Sequence, residues 1–431
     1  FPRAIIRGIT MKVGGSTAAR LAWVFWACAA SGAAAQTLPS EPIAFADGRV
    51  TVSGDVSATY GCEPAPEHAC RDDIGFFNYT DYSHSALREL RIDGSAAVKA
   101  GPHFTFLSEL RTENFAAVQP YALYLRIRPW TAREFDIQVG RVPPTFGAFA
   151  RRTYANDNPL IGYPLAYQYL TTLRPDALPA STDEMLAKRS TGWLVKYSVG
   201  DESPAAGVPL VTAFRWDTGI QAHATAGFVN VTAAVTTGTV AHPLFHDDND
   251  GRQIATRVEL RPMSGLVAGT SFARGPFVST AATVAALGND AGSNAYTQTA
   301  WGGDLEYSRA YYVIRAETVW TSWHLPTAPT PPRQLPLDRP LTANSTYVEG
   351  RYKVRPGLYV AARFDHLGFG DITGVNGTLP WDAPVTRIEA GGGYSLQRNL
   401  ILKLSVQRNV RDGGVLLKKA TFLSAQLVYW F

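Results

Sequence analysis

The sequence predicts an all-β chain closed into a transmembrane antiparallel β-barrel of about sixteen strands, with eighteen as the alternative count. Three observations carry that prediction: a secretory leader, a series of segments about ten residues long that alternate in polarity, and connections that alternate between very short turns and long polar loops.

The leader comes first. From Met11 the chain reads MKVGGSTAARLAWVFWACAASGAAAQ, in which Lys12 and Arg20 precede an apolar stretch from Leu21 to Ala30 and the small-residue site Ala33-Ala34-Ala35. That layout is a cleaved signal peptide, too short and wrongly flanked for a transmembrane anchor. Residues 1–35 are read as an N-terminal extension plus signal peptide, and 36–431 as the barrel. The whole chain has 40 basic and 36 acidic side chains, and the leader holds four of the basic ones (Arg3, Arg7, Lys12, Arg20) and none of the acidic. The formal +4 therefore belongs to the leader, and a charge-balanced mature chain argues against a nucleic-acid partner or a polybasic membrane-surface role.

Beyond the leader no run of eighteen apolar residues occurs, so strands rather than helices must cross any membrane. In RVTVSGDVSATY, Val50, Val52, Val56, Ala58 and Tyr60 share one face while Thr51, Ser53, Asp55, Ser57 and Thr59 share the other, a period of two. YALYLRIRPW sets Tyr121, Leu123, Leu125 and Ile127 against Tyr124, Arg126 and Arg128; NLILKLSVQRN sets Leu400, Leu402, Leu404 and Val406 against Lys403, Ser405 and Gln407. Such segments fall at 49–60, 86–99, 103–113, 119–130, 133–142, 212–224, 227–238, 252–263, 266–276, 299–310, 311–322, 344–355, 357–368, 385–396, 399–409 and 419–431. Short turns such as TAG, MSG and RPG alternate with loops at 61–85, 277–298, 323–343 and 369–384. With both ends on the short-turn side the strand number is even. TGWLVKYSV (191–199) reaches eighteen only with a partner, and is assigned to the longest connection.

The two faces decide what the barrel does. One carries Val, Leu, Ile, Ala, Gly and aromatics, with Trp216, Trp301 and Trp320 as interfacial girdle residues. The other carries charges two residues apart: Glu89 with Arg91, Glu109 with Arg111, Arg215 with Asp217, Arg257 with Glu259, Arg315 with Glu317, Glu349 with Arg351, Arg363 with Asp365, Arg387 with Glu389. A dry core could not hold so many ions, because each costs several kcal/mol to desolvate even when paired, so the interior is expected to be wet. A closed sheet of this size is also too wide for its own side chains to fill. The pairs are expected to neutralise one another along the wall, an arrangement compatible with a conduit whose field selects solutes.

The closing segment TFLSAQLVYWF completes a resemblance. With the leader, the sixteen alternating segments and the loop rhythm, it makes the chain resemble a Gram-negative outer-membrane porin. In that family a terminal aromatic with apolar residues at every second position marks the last strand for the barrel-insertion machinery, and Leu423, Ala425, Leu427, Tyr429 and Phe431 match that spacing. The resemblance implies an outer-membrane location, contact with lipid and lipopolysaccharide, a homotrimer, and a loop after the fifth strand that folds inward to narrow the pore.

The connection 143–207 follows the fifth segment and is too long and apolar for a solvated loop, so it must bury, and the inner wall is the available surface. Ser181 with Glu184 fits a capping box, which predicts a short helix over 182–189. Arg151, Arg152 and Asp157 are expected to face Arg91, Arg111, Arg126 and Arg128 across the constriction. Tyr154, Tyr163, Tyr167 and Tyr169 are read chiefly as packing anchors, with a stacking track for sugars as the alternative.

Two smaller signals remain. Cys62 and Cys70 in GCEPAPEHACRDD predict a loop disulfide worth about 2–3 kcal/mol; as a zinc site they and His68 fall short of four ligands. Asp247, Asp248 and Asp250 in HDDNDGR are a weak calcium candidate lacking the distant Glu of a full EF-hand, and no other cofactor is expected. No G-x-S-x-G or H-E-x-x-H motif occurs, and Asp365 and His366 lie on opposite faces. The reading is a passive channel for ions and small hydrophilic solutes, not an enzyme; the alternative is a barrel enzyme or adhesin acting through its outer loops.

Overall fold

Sixteen strands close on themselves in the computed structural model, which describes residues 39–62, 90–213, 216–288, 295–325, 339–414 and 419–431. In chain order they are β1 (Val50–Cys62), β2 (Leu90–Ala100), β3 (Phe104–Glu113), β4 (Gln119–Ile127), β5 (Phe135–Val142), β6 (Asp217–Ala226), β7 (Val229–Thr236) and β8 (Gln253–Met263). They continue with β9 (Leu266–Pro276), β10 (Thr297–Arg309), β11 (Tyr312–His324), β12 (Leu341–Arg355), β13 (Leu358–Phe369), β14 (Val385–Gln397), β15 (Leu400–Arg411) and β16 (Lys419–Trp430). Each pairs antiparallel with the next, and β16 pairs with β1, so the sheet has no free edge. A three-residue strand, Ile43–Phe45, adds to the β1 margin. Tight turns such as those at Gly265 (φ 82°) and Gly357 (φ 80°) need the left-handed conformation that glycine tolerates.

The last residue completes the closure. Phe431 N–H donates to the Gly54 carbonyl (3.0 Å) and Gly54 N–H to the Phe431 carbonyl (3.1 Å), so the terminal aromatic is a ladder residue of the first strand pair. Along β16, Phe422, Ser424, Gln426 and Val428 are buried toward the lumen, while Leu423 is 48% exposed on the outer face. The same alternation leaves Ile220, Ile254, Ile314, Phe364, Ile388 and Leu404 about half exposed. That apolar band requires lipid to cover it. Trp301 and Trp320 are cross-strand partners in it, with Phe272 4.5 Å from Trp301. Trp216, expected in the girdle, instead packs on Tyr121 and Tyr124 at 5.2 and 6.3 Å.

All sixteen sequence segments find their strands; many boundaries move by a few residues, and three of the shifts have a physical cause. The sixth was expected from 212, whereas Asp217 begins β6: residues 207–213 are buried without alternation, and a run apolar on every side belongs in a core, not in a wall with two different faces. The eleventh and twelfth strands extend to His324 and back to Leu341, because Trp323 and Leu341 turn into the interior. Residues 86–89 of the second segment lie outside the described residues. The segment 191–199 forms no wall strand; Val199–Gly200 pairs only with Ala177–Leu178. A register shift between Glu109 and Leu110 breaks the alternation of β4, so Tyr121, expected on the lipid face, is buried with the Arg111 guanidinium 3.4 Å from its ring centre.

The largest correction concerns the interior. The 143–213 insert enters the barrel and builds its main apolar cluster there: Phe149, Leu165, Tyr167 and Leu173 pack with Val319, Trp323 and Phe422 of the wall. Trp323 and Phe422 sit toward the long-loop ends of their strands, while the 151–162 stretch of the insert reaches further down the lumen to Glu306, Tyr359 and Lys403, so the expected wet interior is confined to what the insert leaves open. There Arg261 remains 62% exposed. The insert carries α1 (Leu165–Gln168) and α2 (Thr182–Ala187), the latter capped by Ser181, whose hydroxyl accepts from Glu184 N–H (3.1 Å), as the capping-box reading expects. A third helix, α3 (Thr280–Leu287), was read as polar loop; Ser279 ahead of an Ala-rich run was its signal.

Strand spacing makes a discriminating pair of glycines. A Cβ on Gly391 would meet the Leu404 carbonyl at 2.3 Å, whereas one on Gly350 would meet nothing within 4 Å. Gly391→Val is expected to lower the fraction of heat-modifiable barrel on unboiled gels, and Gly350→Ala to leave it unchanged; equal behaviour would contradict this packing.

Candidate lumen site and its inserted segment

Where the insert crosses the lumen it is largely irregular, so its backbone groups need partners outside itself. The wall charges are those partners. Glu317 on β11 accepts from Ala148 N–H (2.8 Å), Phe149 N–H (3.2 Å), Tyr167 hydroxyl (2.6 Å) and Tyr347 hydroxyl (3.2 Å). Glu389 on β14 accepts from Gly162 N–H (2.8 Å), and Asp365 on β13 from Leu165 N–H (2.5 Å). The cations serve the carbonyls: Arg363 donates to Gly162 (2.7 Å), Arg387 to Tyr163 (2.8 Å), Arg91 to Thr153 (3.1 Å), and Lys403 to Ala155 and Asn158. Arg363, Asp365, Arg387 and Glu389 are each no more than 2% exposed. Burial beside Glu317 pushes the Tyr167 hydroxyl well above the usual phenol range, so it remains a donor.

The expected neutralisation occurs, mostly with other partners. Glu109–Arg111 (3.3 Å) and Arg257–Glu259 (3.5 Å) pair along one strand as read. Elsewhere the cross-strand neighbour wins: Arg315 bonds Glu306 (2.8 Å), and Arg363 bonds Glu389 (2.7 Å) and Glu349 (3.3 Å), while Arg257 also reaches over Gly269 of β9 to Asp304 (2.6 Å) on β10. Directly opposed residues lie closer than residues two apart on one strand. Glu89 and Arg215 lie outside the described residues.

The residues expected at a constriction separate into two groups. Arg91 and Arg111 are buried, Arg91 against the insert and Glu113 (3.2 Å), Arg111 against Asp93 and Glu109, so they hold structure rather than face open water. Arg126 is half-buried and Arg128 exposed, toward the short-turn end. On the insert, Arg151 and Asp157 are exposed, while Arg152 is tied to Glu306 (2.7 Å). Of the four tyrosines, Tyr163, Tyr167 and Tyr169 are buried and pack the insert in place; Tyr154 is half-buried and donates to Glu109 (2.6 Å). Cys62 is disulfide-bonded, and Cys70 lies outside the described residues. Asp247 accepts from Asn249 N–H, Asp250 N–H and Arg252, closing a turn on itself. Among the described residues no three His, Cys, Asp or Glu side chains, Asp247, Asp248 and Asp250 included, are grouped to hold a metal.

The outer loops fold over the insert. Asp382, between β13 and β14 and fully buried, accepts from Thr172 N–H (3.0 Å) and Ser190 N–H (2.7 Å), while Asp183 of α2 accepts from Val375 N–H (2.8 Å). Trp381 beside it stacks edge-on to Trp323 and Phe369. Sequence reading missed this latch, because a lone Asp in a polar loop gives no sign that the loop turns inward.

Two clefts flank the insert. One, of about 390 Å³, opens between it and the long-loop ends of β3–β5, at Arg111, Gln119, Tyr121 and Arg141. The other, of about 370 Å³, lies at the short-turn ends of β6–β8, where Arg151 faces His223, Asn230 and Glu259. The sixteen-stranded wall, apolar outside and charged inside, with its inward insert after the fifth strand, can be set beside solved structures of similar fold. OmpF of Salmonella typhi, in complex with daunomycin, superposes with a TM-score of 0.52 at 10% identity over 91% of this chain and 100% of that one. The fold is that of a porin barrel. An anion-selective porin from Comamonas acidovorans gives 0.52 at 10% identity (89% and 99% covered), and OmpT of Vibrio cholerae, folded in vitro and in a trimer form, gives 0.50 at 10% (89% and 99%). No protein-family model and no curated protein matches the sequence.

Two outcomes follow for this porin-fold barrel. Glu317→Ala leaves buried donors unpaired at a cost of about 3 kcal/mol or more, so limited trypsin digestion is expected to cleave at Arg151 and Arg152 while the folded-barrel band persists; unchanged resistance would contradict the clasp. Burial raises the Asp382 carboxyl to about 6, against the opposing pull of the Ser190, Ala383 and Thr172 N–H groups and Arg411. A raised carboxyl contributes stability that is present below about pH 4 and is lost as pH climbs through 6. Wild-type stability relative to Asp382→Asn is thus expected to fall by about 2–3 kcal/mol across that window in urea titrations.

Proposed function

We propose that the barrel is a passive outer-membrane channel for ions and small hydrophilic solutes and performs no chemistry. The observation that carries this reading is the placing of the two clefts: both lie against the same sector of the wall, β3 to β8, one at the long-loop end and one at the short-turn end. Solutes pass along that sector, beside Arg111 and Tyr154, rather than through the centre of the lumen, which the insert occupies. The path is narrow, so conductance is lower than that of a hollow barrel of sixteen strands. Exposed Arg151, Arg128 and half-buried Arg126 set the field at its short-turn end, and anions are the favoured ions there. A homotrimer is part of the proposal; one similar protein, OmpT of Vibrio cholerae, has been solved in a trimer form.

Purified protein in a planar bilayer is expected to give stable stepwise openings, and a membrane that never opens would overturn the reading. In a salt gradient, Arg126→Ala combined with Arg128→Ala is expected to move the reversal potential toward cations; an unmoved potential means that these arginines do not set selectivity.

A further inference from the structure

A groove of about 370 Å³ is cut into the outer face of the wall, at the long-loop ends of β10–β12 and on the side opposite the lumen. Half-exposed Trp301 and Trp320 line it, together with Thr299, Ser322, Thr342 and Asn344. The cross-strand register sets Thr299, Ser322 and Thr342 in one row, a step nearer the long loops than the row of Trp301, Trp320 and Asn344. Small side chains beside two indoles make the hollow. Polar groups on a lipid-facing wall need partners, because hydrocarbon offers none. One row further from the long loops they find them in each other: Thr318 bonds Thr346 (2.8 Å) and His366 bonds Thr386 (3.0 Å). In the groove they do not. Among the described residues the side chains of Thr299, Ser322, Thr342 and Asn344 have no hydrogen-bond partner, although each is open to the membrane side.

Charge and position narrow what fills it. Arg274 on β9 is the cross-strand neighbour of Thr299, exposed on the same face, and among the described residues it has no ion pair. The occupant is therefore anionic, and it carries oxygens that meet the unpartnered hydroxyl and amide groups. It also has an apolar body, because the wall below the groove is the exposed band of Leu305, Ile314 and Val348. A free anion satisfies the first two conditions and fails the third. We infer that this groove docks a membrane lipid with an anionic, hydroxyl-bearing headgroup, its phosphate at Arg274 and its chains along the apolar band. The indoles suit that depth, where one side of a ring meets hydrocarbon and the other meets headgroups. The site lies on the outside of the barrel and is independent of what the lumen conducts.

Phosphatidylglycerol is the probe, with phosphatidylcholine of the same chains as the comparison; both carry a phosphate, and only the first is anionic with headgroup hydroxyls. Native mass spectrometry of the detergent-solubilised, folded barrel is expected to show one phosphatidylglycerol retained saturably, at least about tenfold more tightly than phosphatidylcholine. Thr342→Val combined with Asn344→Leu is expected to weaken that retention at least about tenfold, and Arg274→Gln to weaken it as well, while the folded-barrel band persists. Thr318→Val combined with Thr346→Val also removes polar groups from the outer face, but ones that bond each other, and is expected to leave retention unchanged. Soluble glycerol 3-phosphate at matched concentration is expected not to displace the lipid. Equal retention of the two lipids overturns the site whatever the variants do, including variants that do not fold. Displacement by glycerol 3-phosphate, unaltered affinity in folded Thr342→Val with Asn344→Leu, or an equal loss in the Thr318 and Thr346 pair overturns it too.

Discussion

A polypeptide that crosses a barrel without regular structure brings dozens of amide and carbonyl groups away from water, and each requires a partner. The rest of this structure depends on how that requirement is met. Glu317, Asp365 and Glu389 receive insert N–H groups; Arg91, Arg363, Arg387 and Lys403 donate to insert carbonyls. Several of the same side chains also pair with one another, as Arg363 does with Glu389 and Glu349, so the lumen wall and the insert form one network. A network of that kind holds geometry firmly, because removing one member strands several others.

The consequence is a lumen divided by length and by sector. At the long-loop end the insert adds its own apolar core and is covered by loops latched through Asp382 and Asp183; at the short-turn end the wall charges meet open space. The clefts that remain run beside β3 to β8. What the barrel admits is therefore governed by the gap between insert and wall, more than by the diameter that sixteen strands would enclose.

Much of this was legible in the sequence, for physical reasons that act locally. Alternation with period two, enforced by lipid on one side, marks every strand, and the terminal Phe431 announces the closing pair. The capping box at Ser181 and the burial of Tyr163, Tyr167 and Tyr169 follow from short-range chemistry and from the size of aromatic rings. What failed were the inferences that depend on long-range partners. Several of the charges that argued for a wet interior, Glu317, Arg363, Asp365, Arg387 and Glu389 among them, are dry, because a chain segment supplies their hydrogen bonds instead of water. Arg363 ignores Asp365, two residues away, for Glu349 and Glu389 on neighbouring strands, and no one-strand pattern contains that choice. The latch at Asp382 and the shift that turns Tyr121 inward depend on register, which appears only once the strands are aligned. The long apolar connection was read as burying against the inner wall; what was not drawn from it is that its amides and carbonyls would take up the wall charges.

The central claim is that the insert is bonded to the wall as firmly as the wall strands are bonded to each other. Hydrogen–deuterium exchange resolved to single amides measures this most directly, at Ala148, Phe149, Gly162 and Leu165, the groups held by Glu317, Glu389 and Asp365. The account predicts protection at these four positions comparable to that of central amides in β11 and β13. Exchange at the rate of an exposed loop, with the strands still protected, would contradict it.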